Sequence, residues 1–409
     1  MTRELTWMGT IPENWNSIPL KYIFEIQKRI AGKEGYTVLS ITQSGIKPKN
    51  MSAQGQYAQD YSNYQLVYPG DFAMNHMDLL TGWVDISKHE GVTSPDYRVF
   101  VNRDTARYCS EYYKFIFQYC YSNKIFYGMG QGVSGFGRWR LPADMFLNFR
   151  LPVPSIDEQA KIATFLERKI HDIDAVIAEV KSSIEEYRAW KKSIIHETVS
   201  KGLDSNVVLK DSGLVWLGKI PALWSTPSVR NYFKINRGRV IAKTEISSEY
   251  EEGLYPVYSS QTKNNGCMGY IDSYDFEEES LTWTTDGANA GTVFYRDGKF
   301  NCTNVCGILT LKSKGQLWMP FCNYAIGLSA YNCRRADING YKIMSNEMAS
   351  IKFALPPTIE EQKAIANFLD DKCSKINNII DSKELLIADL EAYKKSLIFE
   401  VVTGKRKVV

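Results

Sequence analysis

The stretch "LPVPSIDEQAKIATFL", residues 151–166, recurs about two hundred residues later as "LPPTIEEQKAIANFL", residues 355–369. When Glu158-Gln159 is aligned with Glu361-Gln362, the match runs without a gap from 154–200 against 357–403, and about 19 of the 47 pairs are identical. Self-similarity of this extent indicates an internal repeat, and it has to be explained before any single motif. The chain therefore contains the same helix-entrance segment twice.

A second repeat precedes each copy of the first. "WMGTIPENWNSIPLKYIF" at residues 7–24 matches "WLGKIPALWSTPSVRNYF" at residues 216–233. Between the matched ends, residues 25–150 and 234–353 hardly align, although their lengths differ by only about six residues. The pattern predicts one unit of about two hundred residues, duplicated, in which a constant frame carries a variable insert.

Both helix-entrance segments combine a helix start with an apolar seven-residue repeat. Pro154 and Ser155 precede an acidic first turn, and Pro357 and Thr358 do so in the second copy. Five heptads at a 3.5-residue period predict a coiled coil, whose apolar seam is badly interrupted only by Lys383. The predicted seam residues are Ala163, Leu166, Ile170, Ile173, Ile177, Val180, Ile184, Tyr187 and Ile194 in the first helix, and Ala366, Leu369, Cys373, Ile376, Ile380, Ile387, Leu390 and Leu397 in the second.

The direction of the second helix follows from the reach of the chain. At ~1.5 Å per residue each helix is about 65 to 70 Å long, whereas the connection from Lys201 to Val215 spans at most about 50 Å. Within one chain, the second helix can cover the seam of the first only by running antiparallel to it. A parallel dimer between two chains is the alternative, because heptads alone do not exclude it.

The inserts are predicted to be mixed α and β. Short β-like runs broken by Gly, Asn and Pro occur at 36–101 and 281–311, and aromatic-rich helices follow at 111–126 and 318–332. The predicted fold class is therefore α+β: two mixed α/β domains separated by two long antiparallel coiled-coil helices, with a pseudo-two-fold internal repeat.

Composition narrows the possible functions. The 409 residues are 44% apolar and 23% charged, and no apolar run approaches the roughly 18 residues of a membrane span. The first ten residues lack the apolar core of a signal peptide, and eight irregularly spaced cysteines fit reduced thiols, so we expect a cytoplasmic protein. A net charge of +3 is too small for a nonspecific nucleic-acid coat, so DNA contacts would have to come from locally placed residues.

Motifs of enzymes and metal sites are missing or incomplete. The sequence has no phosphate-binding GxxxxGK[ST] and no Asn-Pro-Pro-aromatic or Asp-Pro-Pro-aromatic tetrapeptide of the amino-methyltransferases. Pro95-Asp96 with Glu111 does not fit the nuclease spacing, and "GQGVSGFG" at 130–137 lacks the strand-to-helix context of a dinucleotide site. The spacings of Cys302, Cys306, Cys322 and Cys333 are not those of a zinc ribbon, so no metal site is predicted.

The two helix-entrance segments, the endings "KKSIIHETVSKGL" and "KKSLIFEVVTGK", and the paired "WxGxIPxxW" openings resemble the specificity subunits of type I restriction-modification systems. Residues 66–100, "LVYPGDFAMNHMDLLTGWVDISKHEGVTSPDYRVF", are similar to a target-recognition domain of that family. The resemblance covers essentially the whole chain. It implies the following division: target-recognition domain 1 at 1–153, conserved helix 1 at 154–201, a linker at 202–215, target-recognition domain 2 at 216–356, and conserved helix 2 with the tail at 357–409.

The resemblance also implies a function. In this family each target-recognition domain reads one half of a bipartite site in double-stranded DNA, and the two helices space the domains. The subunit has no catalysis of its own. It recruits two modification subunits, which use S-adenosylmethionine to methylate adenine, and through them the restriction subunits, which use ATP. We therefore expect no cofactor in this chain, with S-adenosylmethionine, ATP and Mg on the partner subunits, and a role in defence against foreign DNA.

The candidate site residues follow from the resemblance to the family, by their position in this sequence. Arginine reads guanine or holds phosphate, and glycine admits close backbone approach, so the polar residues of the loops and basic segments are the candidates for DNA contact. A plain surface turn is the alternative for the glycine-rich loop, and the second domain lacks such a loop, which leaves the equivalence of the two regions open. The DNA-binding candidates are Gln131, Ser134, Arg138, Arg140, Arg237, Arg239, Lys243, Asn332, Arg334 and Arg335.

Family members dock their modification subunits on the conserved helices and adjoining surfaces. The interface candidates are Glu158, Gln159, Lys191, Lys192, Glu361, Gln362, Lys394 and Lys395, with a solvated helix face as the alternative for the charged ones. Two other functions remain open at this stage: an enzyme that fuses recognition to methylation or cleavage, and a scaffold without a DNA role. The recognised DNA sequence cannot be read from one protein sequence, because a side chain's contact depends on its position in the groove.

Overall fold

A computed structural model describes residues 4–5, 7–49, 60–132, 139–338 and 340–408. The chain divides into two compact units: unit 1 comprises 1–180 and 384–409, and unit 2 comprises 181–383. The division falls inside both long helices, so each unit contains one variable insert and one half of each helix. The sequence-based domains instead assigned each helix whole.

Unit 1 is built around an antiparallel sheet and an aromatic helix. The sheet order is β4-β11-β8-β9, and helix α1 packs on β9. The elements are β1 (Glu4–Leu5), β2 (Gly9–Thr10), β3 (Asn16–Pro19), β4 (Phe24–Gln27), β5 (Leu39–Thr42), β6 (Gly45–Pro48), β7 (Gln65–Val67), β8 (Phe72–Met74), β9 (Val84–Ile86), β10 (Gly91–Thr93), β11 (Arg98–Asn102), α1 (Ser110–Ser122), α2 (Ile125–Gly128), α3 (Ala143–Asn148), β12 (Arg150–Val153) and the long α4 (Ile156–Lys201), which continues into unit 2.

Unit 2 repeats this architecture with different residues. Its main sheet has the order β15-β22-β18-β20, and α6 packs on β20. The elements are β13 (Leu209–Asp211), β14 (Lys219–Pro221), α5 (Val229–Tyr232), β15 (Phe233–Arg237), β16 (Tyr255–Tyr258), β17 (Cys267–Ile271), β18 (Ser280–Thr284), β19 (Asp286–Gly287), β20 (Val293–Arg296), β21 (Asn301–Cys302), β22 (Cys306–Leu311), α6 (Met319–Cys333), β23 (Arg335–Asp337), β24 (Gly340–Lys342), α7 (Ser345–Ser350) and the long α8 (Ile359–Val402), which continues into unit 1.

Large aromatic side chains fill the core of each unit. In unit 1, Phe24 makes edge contacts with Phe72, Phe100 and Phe117, with ring centroids 5.3 to 5.5 Å apart. In unit 2, the Trp283 ring lies directly over Gly307 on the neighbouring strand, where any Cβ would overlap the indole. A buried aromatic of this size contributes several kcal/mol, on the order of 3 to 5 when truncated to alanine. The tyrosine- and phenylalanine-rich composition therefore serves mainly to build these two cores.

The long helices are antiparallel, as the sequence predicted. Within unit 1, Lys394 of α8 bonds to Asp174 of α4, with Nζ 2.7 Å from each carboxylate oxygen. Within unit 2, Lys191 of α4 donates to Asn377 of α8 at 2.8 Å. The partner's number falls as the number along α4 rises, which is the pattern of antiparallel packing. The duplicated α+β fold with two long antiparallel helices is confirmed.

Most seam positions of both helices are buried and the rest are half-buried. Leu166, Ala366 and Leu369 are fully enclosed, whereas Ile170, Tyr187 and Ile387 keep part of their surface exposed. Lys383, the one residue that interrupts the apolar pattern, lies with its Nζ 5.7 Å from the centre of the Tyr187 ring. A cation over an aromatic face is attracted to it, so the interruption is accommodated within unit 2.

Candidate nucleic-acid interface

In unit 1, the basic loop predicted from sequence begins and ends at an antiparallel bridge between Gln131 and Arg140. Their backbones exchange two hydrogen bonds, at 2.8 and 3.0 Å. Ser134 and Arg138 lie outside the described residues. Directly after the bridge, the N–H of Leu141 donates to the carbonyl of His76 at 2.9 Å, which ties this unit 1 bridge to the strand loop 75–83 between β8 and β9.

Trp139 fixes the base of the unit 1 bridge from the other side. Its indole Nε1 donates to the carbonyl of Tyr127 at 2.7 Å, and the two rings are 5.5 Å apart. Gly130 lies so close to this indole that a side chain there would overlap it. The first glycine of the sequence motif is therefore explained by packing against tryptophan and not by phosphate binding.

Two basic side chains, the buried Arg98 and the half-buried His76, lie beside the same bridge. Arg98 on β11 is 5% exposed and donates from Nη2 to the carbonyl of Leu141 at 2.9 Å, while its Nη1 is buried without a hydrogen-bond partner among the described residues. Burial lowers the pKa of His76, and the charges of Arg98 and Arg140 act in the same direction, so that together they bring the pKa to about 4. His76 is therefore neutral at pH 7, beside two cations.

The depressed pKa of His76 predicts a pH-dependent stability. Between its ordinary pKa of 6.5 and about 4, the unfolded state binds a proton that the folded state does not, so stability is lost as pH falls through this window. We expect His76 to account for about 2 kcal/mol of the stability lost between pH 7 and 4.5. Unfolding of His76→Gln in urea at several pH values should show a shallower loss, while His171→Gln, on an exposed face of α4, should follow the unsubstituted chain. Parallel curves for all three proteins would contradict the assignment.

In unit 2, the corresponding position is occupied by a hairpin, residues 334–342. Strands β23 and β24 pair with each other, and β24 also pairs with β19, so that Lys342 faces Asp286 and Tyr341 faces Gly287. The Ile343 N–H donates to Thr285 at 2.9 Å. The unit 2 hairpin is thereby fixed against the strand loop 285–292 between β18 and β20.

Arginines at the start of this hairpin are held by their neighbours. The Arg334 guanidinium lies between two tyrosine rings, 3.7 Å from the centre of Tyr331 and 4.0 Å from that of Tyr341. Arg335 forms an ion pair with Glu347 at 2.7 Å. Asn332 donates from Nδ2 to the carbonyl of Leu328 within α6, at 2.9 Å. The three predicted residues are thus close together, and each already has a partner within unit 2.

In the second basic segment of unit 2, Arg237 lies apart from Arg239 and Lys243. Arg237 donates to the Asn304 carbonyl at 2.6 Å and contributes to the field at Asp286. Burial would raise the pKa of Asp286, but hydrogen bonds from Thr285 and Lys342, with the charges of Lys342 and Arg237, lower it overall. Arg237 therefore lies near the hairpin, whereas Arg239 pairs with Asp275 at 2.9 Å and Lys243 is exposed on a separate short helix.

Both units consequently place the same two features side by side. The first feature is a loop between equivalent sheet strands, at 75–83 in unit 1 and at 285–292 in unit 2. The second is a segment hydrogen-bonded to that loop, which is the bridge in unit 1 and the hairpin in unit 2. In both units this segment follows the aromatic helix and precedes a short helix. The equivalence that sequence alone left open is present in the backbone, although the second copy lacks the glycine-rich sequence. Sequence reasoning missed His76, Arg98, Trp139 and Lys342; His76 and Arg98 lie within the family-like stretch 66–100, which was the one available signal.

Two of the predicted partner-interface residues have an internal role. Gln159 is fully buried and Gln362 is 2% exposed. Gln159 accepts from the N–H of Cys109, and Gln362 from the N–H of Trp318, both at 2.8 Å. Cys109 and Trp318 are the residues that cap α1 and α6. The expectation that these glutamines form a partner surface is therefore wrong, because their amides connect the start of each long helix to the start of an aromatic helix.

The charged interface candidates differ in their exposure and in whether they already bond to another residue of the chain. Glu361 accepts from the indole of Trp224 at 3.0 Å, and Lys191 and Lys394 hold the inter-helix contacts described above. Glu158 is half-buried, and Lys192 and Lys395 are exposed. Lys192 and Lys395 are therefore the most accessible of the set.

Over the described ranges, no three His, Cys, Asp or Glu residues are arranged to hold a metal ion. Within those same ranges, none of the helices combines the length and apolarity needed to cross a membrane.

The fold defines a duplicated protein with two α/β units, through both of which the same two long helices run. The model of the type I restriction-modification DNA specificity domain matches residues 12–186 and 221–386. The chain belongs to this family. It is thus a specificity component and not the catalytic part of a restriction-modification system, as the sequence indicated.

Curated relatives agree with this assignment. A putative type I specificity subunit of Mycoplasma pneumoniae is 30% identical over 248 residues, covering 60% of this chain and 89% of the relative. A second one from the same organism is 37% identical over 177 residues, and that match spans 42% of this chain and only 55% of the relative's length.

Two solved structures share the fold. A chain from a study of complex assembly and conformational transition of the type I R-M system superposes with a TM-score of 0.73 at 12% identity, over 97% of this chain and 100% of that one. The HsdS subunit from Thermoanaerobacter tengcongensis superposes at 0.52 and 12% identity, over 97% and 98%.

Proposed function

We propose that this chain is the sequence-reading subunit of a type I restriction-modification complex, in which each unit reads one half of a bipartite site in double-stranded DNA. The observation that carries the proposal is the repeated placement of a strand loop beside a bridge in unit 1 and a hairpin in unit 2, with different side chains in each. The two-stranded ribbon of unit 2 fits the major groove, where base pairs are distinguished by their donors, acceptors and methyl groups. Different side chains on one frame would read different half-sites.

The DNA candidates divide by their surroundings into two roles. Arg335 and Lys342 carry ion pairs that hold their side chains in place, so they suit a fixed contact with phosphate or guanine. Arg334 keeps a stacked, planar guanidinium between two exposed tyrosines, an arrangement suited to bidentate recognition. Gln131 and Arg140 are the described candidates of unit 1, with Arg237, Arg239, Lys243 and Asn332 as further contacts in unit 2.

An exchange of inserts tests the division between the units. Residues 234–353 would be replaced by the corresponding insert of another family member, and adenine methylation in cells with the complete system would be mapped. We expect one half of the recognition sequence to change completely, while the other half and the spacing stay the same. A change in both halves, or in neither, would contradict separate reading by the two units.

We also propose that the long helices dock two modification subunits, and through them the restriction subunits. S-adenosylmethionine, ATP and Mg would then be held by those partners. Large apolar side chains remain exposed on the helices, and such groups often mark protein interfaces. They are Ile156, Val176, Leu385, Leu386 and Tyr393 in unit 1, and Trp190, Phe368 and Ile379 in unit 2.

A charge placed on this apolar surface should separate the partners. Leu385 is 68% exposed, so Leu385→Glu leaves the core intact. We expect the substitution to weaken association with the modification subunit by about tenfold or more, as measured by titration of the purified proteins. Val240→Glu, at a residue 76% exposed in the insert of unit 2, is the matched control and should bind the modification subunit normally. Equal affinity of both variants would place the docking surface elsewhere.

A further inference from the structure

The tip of the unit 2 hairpin carries an apolar side chain that is almost fully exposed among the residues that the structure describes. Ile338 is 99% exposed, and it follows Asp337, the last residue of β23. Turns of this kind favour Gly, Asn, Asp or Ser, whose backbone and side-chain properties suit them, whereas isoleucine has no such advantage. Folding of unit 2 therefore does not account for this residue type at this position.

The strands beneath Ile338 are held against the neighbouring loop by close contacts and ion pairs. Gly340, with φ +122°, approaches the backbone of residues 287 and 288 so closely that a Cβ would lie 3.0 Å from it. Lys342 bridges Asp286 at 3.1 Å and Asp337 at 3.8 Å, which holds both strands to the neighbouring loop. Strands held in this way are a suitable support for a specific contact by Ile338.

The surroundings of Ile338 indicate the chemistry of its partner. Arg334 and Arg335 begin the same hairpin, so the apolar tip is accompanied by cations that suit phosphate and base edges. In the major groove, the 5-methyl group of thymine is the one apolar feature that distinguishes a base pair. We propose that Ile338 reads the 5-methyl group of a thymine in the half-site of unit 2. This inference rests on the function proposed above for that unit.

Deoxyuridine isolates this contact, because it lacks the thymine methyl and retains every base-pairing atom. Binding of the complex of the full chain with its modification subunits would be measured on duplexes in which each thymine of the half-site is replaced singly. One position should weaken binding about fourfold, the effect of burying one methyl-sized group. Ile338→Ala should lose the same factor on the thymine duplex and be indifferent to deoxyuridine at that position.

Controls separate the possible failures. Val215→Ala, at a fully exposed residue of the linker, should keep both the affinity and the deoxyuridine effect. If every deoxyuridine duplex binds as tightly as thymine, if the effect persists in Ile338→Ala, or if Ile338→Ala weakens all DNA sequences alike, the assignment of Ile338 is overturned. If a scrambled half-site binds as well as the true one, the proposed reading by unit 2 itself has failed.

Discussion

Replacing Gln362 with alanine is expected to lower the free energy of unfolding of unit 2 by about 2 to 4 kcal/mol. The side chain is 2% exposed, accepts from the Trp318 N–H at 2.8 Å and donates to the Pro356 carbonyl at 3.3 Å. Alanine leaves both backbone groups without this partner in a place that water does not reach, and each such loss costs about 1 to 3 kcal/mol. Gln159→Ala is expected to have a similar effect in unit 1.

Urea unfolding followed by tryptophan fluorescence measures this effect, because Trp224 and Trp283 are buried in unit 2. Gln316→Ala is the matched control, since Gln316 is exposed in the same unit and its loss should cost less than about 0.5 kcal/mol. If Gln362→Ala and Gln316→Ala unfold at the same urea concentration, the amide does not anchor the aromatic helix to α8.

These glutamines also illustrate what sequence could and could not predict. The helix starts were predictable because their determinants are local: Ser155 and Thr358 accept from the N–H groups three residues on, at 3.3 and 3.2 Å. The role of the glutamine was not predictable. Glutamine is mostly exposed in proteins, so a glutamine at the start of a helix is expected to lie on the surface. Its partner lies some fifty residues away in the first copy, at Cys109.

The long helices were predicted well because the heptad period and chain length constrain them directly. Seam residues recur every 3.5 positions, and the reach of the linker allows one direction within a chain. The recognition sites were predicted less completely, since they depend on pairing between distant strands. β24 pairs with β19 across more than fifty residues of sequence, and nothing in "RRADINGYK" alone indicates this partner. Arg98 was not predicted as a site residue because the sequence "RVFVN" around it has the ordinary pattern of a β-strand.

The dependence on distant strands also explains why basic residues could be chosen as DNA-binding candidates from the sequence but not ordered by their distance from the proposed site. Arg237 and Arg239 are two positions apart in sequence, yet Arg237 acts on Asp286 beside the hairpin and Arg239 pairs with Asp275. Alternation of side chains along an extended segment does not indicate which neighbour each will meet, because the neighbours come from other elements. The structure separates them, and it favours Arg237 as the residue closer to the proposed reading site.

Inserting one heptad into both long helices is expected to abolish methylation of the native site and to create a new site with a longer gap. The insertions would follow Val180 in α4 and Lys383 in α8, where the two units divide. Seven residues preserve the register of the seam and add about 10 Å of helix. At ~3.4 Å per base pair this allows up to about three additional base pairs between the half-sites, less whatever the DNA absorbs by bending or twisting.

A heptad inserted into α4 alone provides the control, because it leaves α8 too short to cover the lengthened seam and should reduce stability without defining a new site. The decisive measurement is the methylome of cells that carry the complete system with the doubly lengthened subunit. If the helices set the spacing and each unit reads one half-site, both half-sequences will be unchanged and the gap will be longer by one to three base pairs. An unchanged gap, or altered half-sequences, would contradict the account.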